Sequence, residues 1–346
     1  MGDLFAALGG SGFNFTGEMM DLPNQKRLAG FDVLRLLGAL AVIWIHICDP
    51  YAPARRFAGY WVYWAVPIFV MISAFLTQKK LATSTENPGY TKILWGRIRR
   101  LVPAYLGWTL IYVLVRWGKH EVVGTESLQV DWLGLFLYGG AAMQLYFIPM
   151  LILFTVVFTP VSLGLLRLNR ICQTAVLTGL LVIVHFGSEN IHMREYLPDN
   201  LFYSYAWANA KFYVAGAVAF CIYNRSSGGA GSALGSVAGL GMFLYAGLFP
   251  TVAGFRVEIQ SIGLLLFGCT LPWGGNRFFS LGAKWSFGIF LSHSLFSETL
   301  QFIISRLGIP LDRLSTTLTV FLVSALGSAI LIKILLSSKW SRWLAG

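Results

Sequence analysis

The chain has 346 residues, of which 56% are hydrophobic and 12% charged, with a formal net charge of +11. A water-soluble domain carries about 25% charged residues, so this composition leaves too little polar surface to cover a soluble globule. The basic residues are spread between apolar runs and form no continuous face, which argues for topology signals in a lipid bilayer and against nucleic-acid binding.

Residues 1–27 are Gly-rich, and their basic pair, Lys26 and Arg27, comes last. That order does not fit a signal peptide, and the segment reads as a flexible cytoplasmic tail. Beyond it, runs of about 20 apolar residues predict about ten spans. They fall at 30–49, 59–78, 98–117, 144–166, 172–187, 201–223, 233–250, 257–273, 283–304 and 315–336. The expected fold is an all-α polytopic membrane protein. Its ten-helix domain covers 28–336, and 337–346 form a short cytoplasmic tail. The stretch 131–142 is apolar but too short to span, and reads as re-entrant or interfacial. With the amino terminus inside, basic residues favour the inner side by about two to one, which predicts that both termini are cytoplasmic. The setting is a plasma membrane or bacterial inner membrane. Cys48, Cys172, Cys221 and Cys269 form no CxxC pair and read as buried hydrophobes, and no metal site is expected.

The first span, FDVLRLLGALAVIWIHICD, contains Asp32, Arg35, His46 and Asp49. At about 100° per residue, Arg35 and His46 return to within roughly 20° of one helix face. Asp32 and Asp49 lie at i, i+3 spacing from them. Arginine in a bilayer costs at least about 2.5 kcal/mol, so this stripe faces the bundle interior or a water-filled cavity. Asp32–Arg35 suits a structural ion pair as well as a functional one. A carboxylate beside His46 orients its ring and raises its basicity, as a general base needs.

The second span holds VPIFVMISAFL, where Pro67 loosens the helix and Ser73–Ala74 give a small packing face. Lys79 and Lys80 end it. WGRIRRLVPAY then opens the third span with Arg97, Arg99 and Arg100. This cluster suits topological anchoring, and equally phosphate recognition by guanidinium forks. Tyr146 and Phe147 begin the fourth span and read as an interfacial aromatic belt or a binding pair. Lys211, in the sixth, calls for a carboxylate on a neighbouring helix. The ninth span, KWSFGIFLSHSLFSETLQFII, carries His293 and Glu298. Each serves either an interhelical hydrogen bond or a functional site.

Taken in order, these pieces resemble the membrane-bound acyltransferase-3 family. Arg35 and His46, with ten residues between, fit its R-x10-H motif, after the opening Phe31-Asp32. Residues Pro67 to Leu76 resemble its PxFFxxSGFL segment, with Ala74 replacing the glycine. Arg97 and Arg100, followed by Pro103, fit its RxxR…P pattern. Phe287 to His293 resemble its YGIYLxH segment. Tyr146–Phe147 stand where the family usually has an aromatic pair containing Trp. The resemblance runs over about residues 28–336, and the branch is the surface polysaccharide O-acyltransferase group.

The resemblance implies transfer of an acyl group, usually acetyl, from cytoplasmic acyl-CoA to a hydroxyl of a glycan or glycolipid. Acetyl-CoA is then the donor and the lipid bilayer the surroundings, with no nucleic acid involved. The catalytic candidates are His46, Arg35, Asp49 and Asp32, with Arg35 also a candidate for the oxyanion. Arg97, Arg100, Arg99 and Lys80 are the donor-binding candidates. His293, Glu298, Ser73 and Tyr146 are the substrate-binding ones. His46 serves either as base or as a transient acyl carrier. A transporter or flippase would use the same buried charges as a pathway. The ordered motifs, and the absence of a visible internal repeat, favour the enzyme.

Overall fold

The computed structural model describes residues 28–83, 89–123, 131–190, 201–223, 230–249, 254–271 and 277–345. The tail expected at 1–27 lies outside the described residues. The α-helices are α1 (Ala29–Ile47), α2 (Ala52–Trp61), α3 (Ala65–Thr83), α4 (Tyr90–Val123), α5 (Trp132–Leu137), α6 (Phe147–Leu165), α7 (Arg170–Asn190), α8 (Leu201–Tyr223), α9 (Ala230–Leu248), α10 (Arg256–Thr270), α11 (Arg277–Arg306) and α12 (Leu314–Ser337). Single 3-10 turns occupy Met143–Tyr146 and Arg342–Ala345. The second of these docks on α4, where Trp108 Nε1 donates to the Leu344 carbonyl at 2.8 Å.

Seven stretches among the described residues are long and apolar enough to cross a membrane: Ala29–Ile47, Ala52–Thr83, Tyr90–Glu121, Met143–Leu165, Arg170–Asn190, Arg277–Arg306 and Leu314–Ser337. The protein is therefore an all-helical, multi-pass membrane protein. Of the other apolar helices, α10 has 15 residues, and α9 is short over Ala233–Leu248.

The bundle is sorted for lipid. On α12, Leu322, Leu326, Ile330 and Ile334 recur at i, i+4 and are exposed. Val320, Ser324, Ser328 and Ile332 recur on the other face and are buried. A water-soluble helix puts its leucines inward and its serines outward. Here the order is reversed, because small residues let helices approach closely while leucine loses nothing against acyl chains.

Two segments depart from the expected spans. The span at 59–78 is two helices, with a break at 62–64 where Trp64 Nε1 donates to the Trp61 carbonyl at 2.6 Å. The preceding α2 buries Ala54 and Ala58 at i, i+4 and exposes Arg55 and Arg56, an amphipathic pattern too polar to read as a span. The span at 98–117 is the middle of a 34-residue helix, α4. Its polar first turns carry the basic cluster.

α1 sits at the centre, packed against α11, α3, α10 and α12. α3 in turn packs along α8, and at Gly216 a Cβ would run into the Met71 backbone, so only glycine permits that approach. The segment 131–142 forms α5, held to α4 where Tyr105 OH meets the carbonyls of Leu135 and Phe136 at 3.0 Å each. The chain then turns through Gly139, at φ 75°, and enters the 3-10 turn Met143–Tyr146.

Candidate active site

Two groups of polar side chains lie along α1, about 16 Å apart at 1.5 Å per residue. The first surrounds Arg35. Asp32 is buried, and its Oδ1 is 3.7 Å from Arg35 Nη1. Arg97 reaches across from α4 to α3. Its Nη1 donates to Ser73 Oγ at 2.7 Å and its Nη2 to Thr77 Oγ1 at 3.0 Å. Those hydroxyls stand one helical turn apart, so the flat guanidinium bridges both. Arg100 lies within electrostatic range of both Arg97 and Arg35. Its side chain is exposed. Arg100 thus feels the charge of two further guanidiniums, one from α1 and one from its own helix. Their mutual repulsion is relieved by an anion, and Arg forks suit phosphate. Lys80 is exposed one turn beyond Thr77 on α3, and Arg99 is exposed on α4.

The second group surrounds His46. Its ring neighbours that of His293 on α11, with centroids 5.0 Å apart and planes at 43°. His293 is fully buried, while His46 keeps some accessible surface. Asp49 lies two residues beyond the end of α1 and is exposed. Its charge still reaches His46 from the following turn. Behind His293, Ser294 Oγ donates to Gln144 Oε1 at 2.8 Å. Gln144 Nε2 meets Tyr112 OH at 2.8 Å and the Leu291 carbonyl at 3.2 Å. The turn after α5 delivers Gln144 to this place. At Gly139 a Cβ would collide with the Leu145–Tyr146 backbone.

The remaining candidates separate by position. Ser73 holds Arg97 and so belongs to the arginine group, away from the histidines. Arg35 also lies with the arginines, too far along α1 to touch an atom bonded at His46. Tyr146 is buried, 8% exposed, and stacks on Tyr205 with centroids 4.6 Å apart, so it forms no outer aromatic belt. Glu298 is exposed and sits about 140° around α11 from His293. Gln144, Ser294, Tyr112 and Thr77 were not singled out from the sequence. The usable signal was Gln144, an amide set between apolar runs, and the hydroxyl beside His293.

A third polar group lies elsewhere. Lys211 Nζ is 2.7 Å from Glu189 Oε1 and 2.7 Å from Glu258 Oε1, which supplies the carboxylate partners that a buried lysine requires. His185, Glu189 and Glu258 bring ligand atoms within 4.8 Å of one another. The Lys211 ammonium already stands between the two carboxylates, where a cation would bind.

The order of motifs along the chain and their assembly into two groups along α1 agree with a comparison against known families. Residues 28–337 match the family described as an acyltransferase domain, acyltransferase 3. No curated protein and no solved structure gave a significant match. The match takes in every helix from α1 to α12, so the chain belongs to the acyltransferase-3 family, whose members transfer acyl groups.

Proposed function

We propose that the protein moves an acetyl group from cytoplasmic acetyl-CoA to a hydroxyl of a surface glycan or lipid-linked saccharide, with His46 as general base. The observation that carries this reading is the arrangement along α1. Neighbouring guanidiniums stand near one end, and a pair of apposed imidazoles stands near the other. Coenzyme A has the matching form, an anionic head and a long thin arm that ends in the thioester. Its phosphates stay at Arg97, Arg100 and Arg35, with Arg99 and Lys80 adding to the field that draws them in. The arm runs beside α1 and brings the thioester carbon to His46.

Both termini are cytoplasmic in this reading, which puts the arginine group on the inner side and His46 toward the outer side. The acceptor enters from that outer side. His46 removes the proton of its hydroxyl as the oxygen attacks the thioester carbon. The new C–O bond forms, the C–S bond breaks, and the proton ends on the departing sulfur. Asp49 favours the imidazolium that forms on the way. Asp32 holds Arg35 in place.

The test uses purified protein in lipid nanodiscs with labelled acetyl-CoA and a panel of glycan acceptors. His46→Ala is expected to lower transfer by about 10²–10⁴-fold. Equal transfer by the wild-type protein and the variant would overturn His46 as the base. If no acceptor takes label, and deleting the protein leaves glycan acetylation on the producing cells unchanged, the whole reading fails.

A further inference from the structure

The 3-10 turn Met143–Tyr146 is fastened at two places. Gln144 accepts from Ser294 Oγ at 2.8 Å, behind the histidine pair. Tyr146 is buried and stacks on Tyr205 of α8, with centroids 4.6 Å apart and planes at 21°. Tyr205 itself is 38% exposed. The turn that backs the histidines therefore also backs an exposed aromatic ring.

A second exposed ring comes from the break between α2 and α3. Tyr63 is 41% exposed, although Val62 and Trp64 on either side of it are buried. Both neighbours are pinned. The Val62 N–H donates to the Ala58 carbonyl at 3.0 Å, and Trp64 Nε1 donates to the Trp61 carbonyl at 2.6 Å. The break thus turns one ring outward from an anchored segment. The Tyr63 phenol lies within electrostatic range of Tyr205, Asp49 and Arg55. Asp49 in turn reaches His46. Through Asp49, this group of side chains adjoins the histidine site.

The chemistry of the patch narrows what it can hold. Asp49 and Arg55 are exposed, and charges are costly against acyl chains, so the patch opens to water. One carboxylate and one guanidinium cancel, which suits a neutral ligand better than a phosphate. Aromatic faces are electron-rich and attract weakly positive C–H groups. A pyranose ring presents C–H groups on its faces and hydroxyls around its rim. A carboxylate accepts from such hydroxyls, and a guanidinium donates to them.

We propose that Tyr205 and Tyr63 are the stacking surface of the acceptor site, which holds a neutral pyranose ring while Asp49 and Arg55 bond the hydroxyls at its rim. The proposal rests on the reading of the chain as a transferase to saccharides, and names the part of the acceptor that is held. Tyr146 is the positioning residue behind Tyr205.

The experiment uses the full chain in nanodiscs. The probes are methyl pyranosides of glucose, galactose, mannose, rhamnose and N-acetylglucosamine, each paired with its open-chain alditol. Saturation-transfer NMR reports which sugar protons touch the protein. In the wild-type protein, one or more pyranosides should show the strongest saturation on C–H protons of one ring face, and the matching alditol should bind about tenfold more weakly. Tyr205→Ala should weaken the pyranoside by about tenfold, while Tyr205→Phe and Tyr205→Trp should keep it. In acetyl transfer, Tyr205→Ala and Tyr63→Ala should raise the half-saturating acceptor concentration by about tenfold. The saturated rate and the half-saturating acetyl-CoA concentration should stay as in the wild type, which also shows that the variants are folded. Equal binding of pyranoside and alditol, saturation untouched by Tyr205→Ala, or no saturated pyranoside would overturn the proposal. So would a lower saturated rate with the acceptor requirement unchanged. If a pyranoside binds through Tyr205 and no acetyl is transferred, the seat stands and the transferase reading fails. If acetyl is transferred and no pyranoside is saturated, the seat fails and that reading stands.

Discussion

Arg97 shows how much a single side chain carries at this site. A guanidinium has five N–H donors, and here two are committed to Ser73 and Thr77. The rest, with the charge, are what the proposed donor would use. Arg97→Lys keeps the charge and loses the fork, and should weaken acetyl-CoA binding by about tenfold. Arg97→Ala should weaken it further and flatten its salt dependence. Calorimetric titration in nanodiscs at low and high salt checks both, and unchanged affinity would leave Arg97 as a brace between α3 and α4. The i, i+3 spacing of Arg97 and Arg100 was plain in the sequence, because helix geometry fixes it. Their nearness to Arg35 was not, because it depends on the relative placement of two separate helices, α1 and α4, which no spacing within one helix fixes. Asp49 lies in the turn after the helix, which ends at Ile47, and its charge reaches His46 from there.

Among the elements, the link from α5 into the 3-10 turn has the most exacting geometry. Gly139 sits at φ 75°, where a side chain is strained, and a Cβ there would strike the Leu145–Tyr146 backbone. Gly139→Ala should cost about 1–3 kcal/mol in stability and slow transfer, because it shifts Gln144. Thermal unfolding in detergent and turnover measured together test this, and a variant with wild-type turnover would show that Gln144 tolerates displacement. The positions of the long helices were legible, because an apolar run of span length has few alternatives in lipid. The break at 62–64 was not legible, since Val62, Tyr63 and Trp64 are as apolar as their neighbours. Nor was the start of α4 at Tyr90, ahead of the arginines, which hydropathy alone cannot separate from a loop.

Across the whole molecule, the Lys211 junction ties α7, α8 and α10 together, adding to the apolar contact of Leu177 with Val214, Ala217 and Val218. Lys211→Met removes the cation between Glu189 and Glu258 and leaves the carboxylates facing each other. It should cost about 1–3 kcal/mol, because Glu189 is half exposed and partly screened. A lower melting temperature with transfer retained below it is the expected result, and an unchanged melting temperature would show that the junction contributes nothing. The sequence reading asked for such a carboxylate partner but could not name it, since Glu189 and Glu258 lie far apart along the chain. The position of α1 has a different consequence. A rigid helix with an anion seat near one end and a base near the other acts as a ruler. On the proposed reading it selects donors by length, admitting those whose thioester stands about 16 Å from their phosphates. Acetyl phosphate is too short to touch both marks, and a simple acyl thioester has no phosphates to seat. One residue added between Arg35 and His46 would both lengthen the ruler and turn its far mark about 100° away from the substrate.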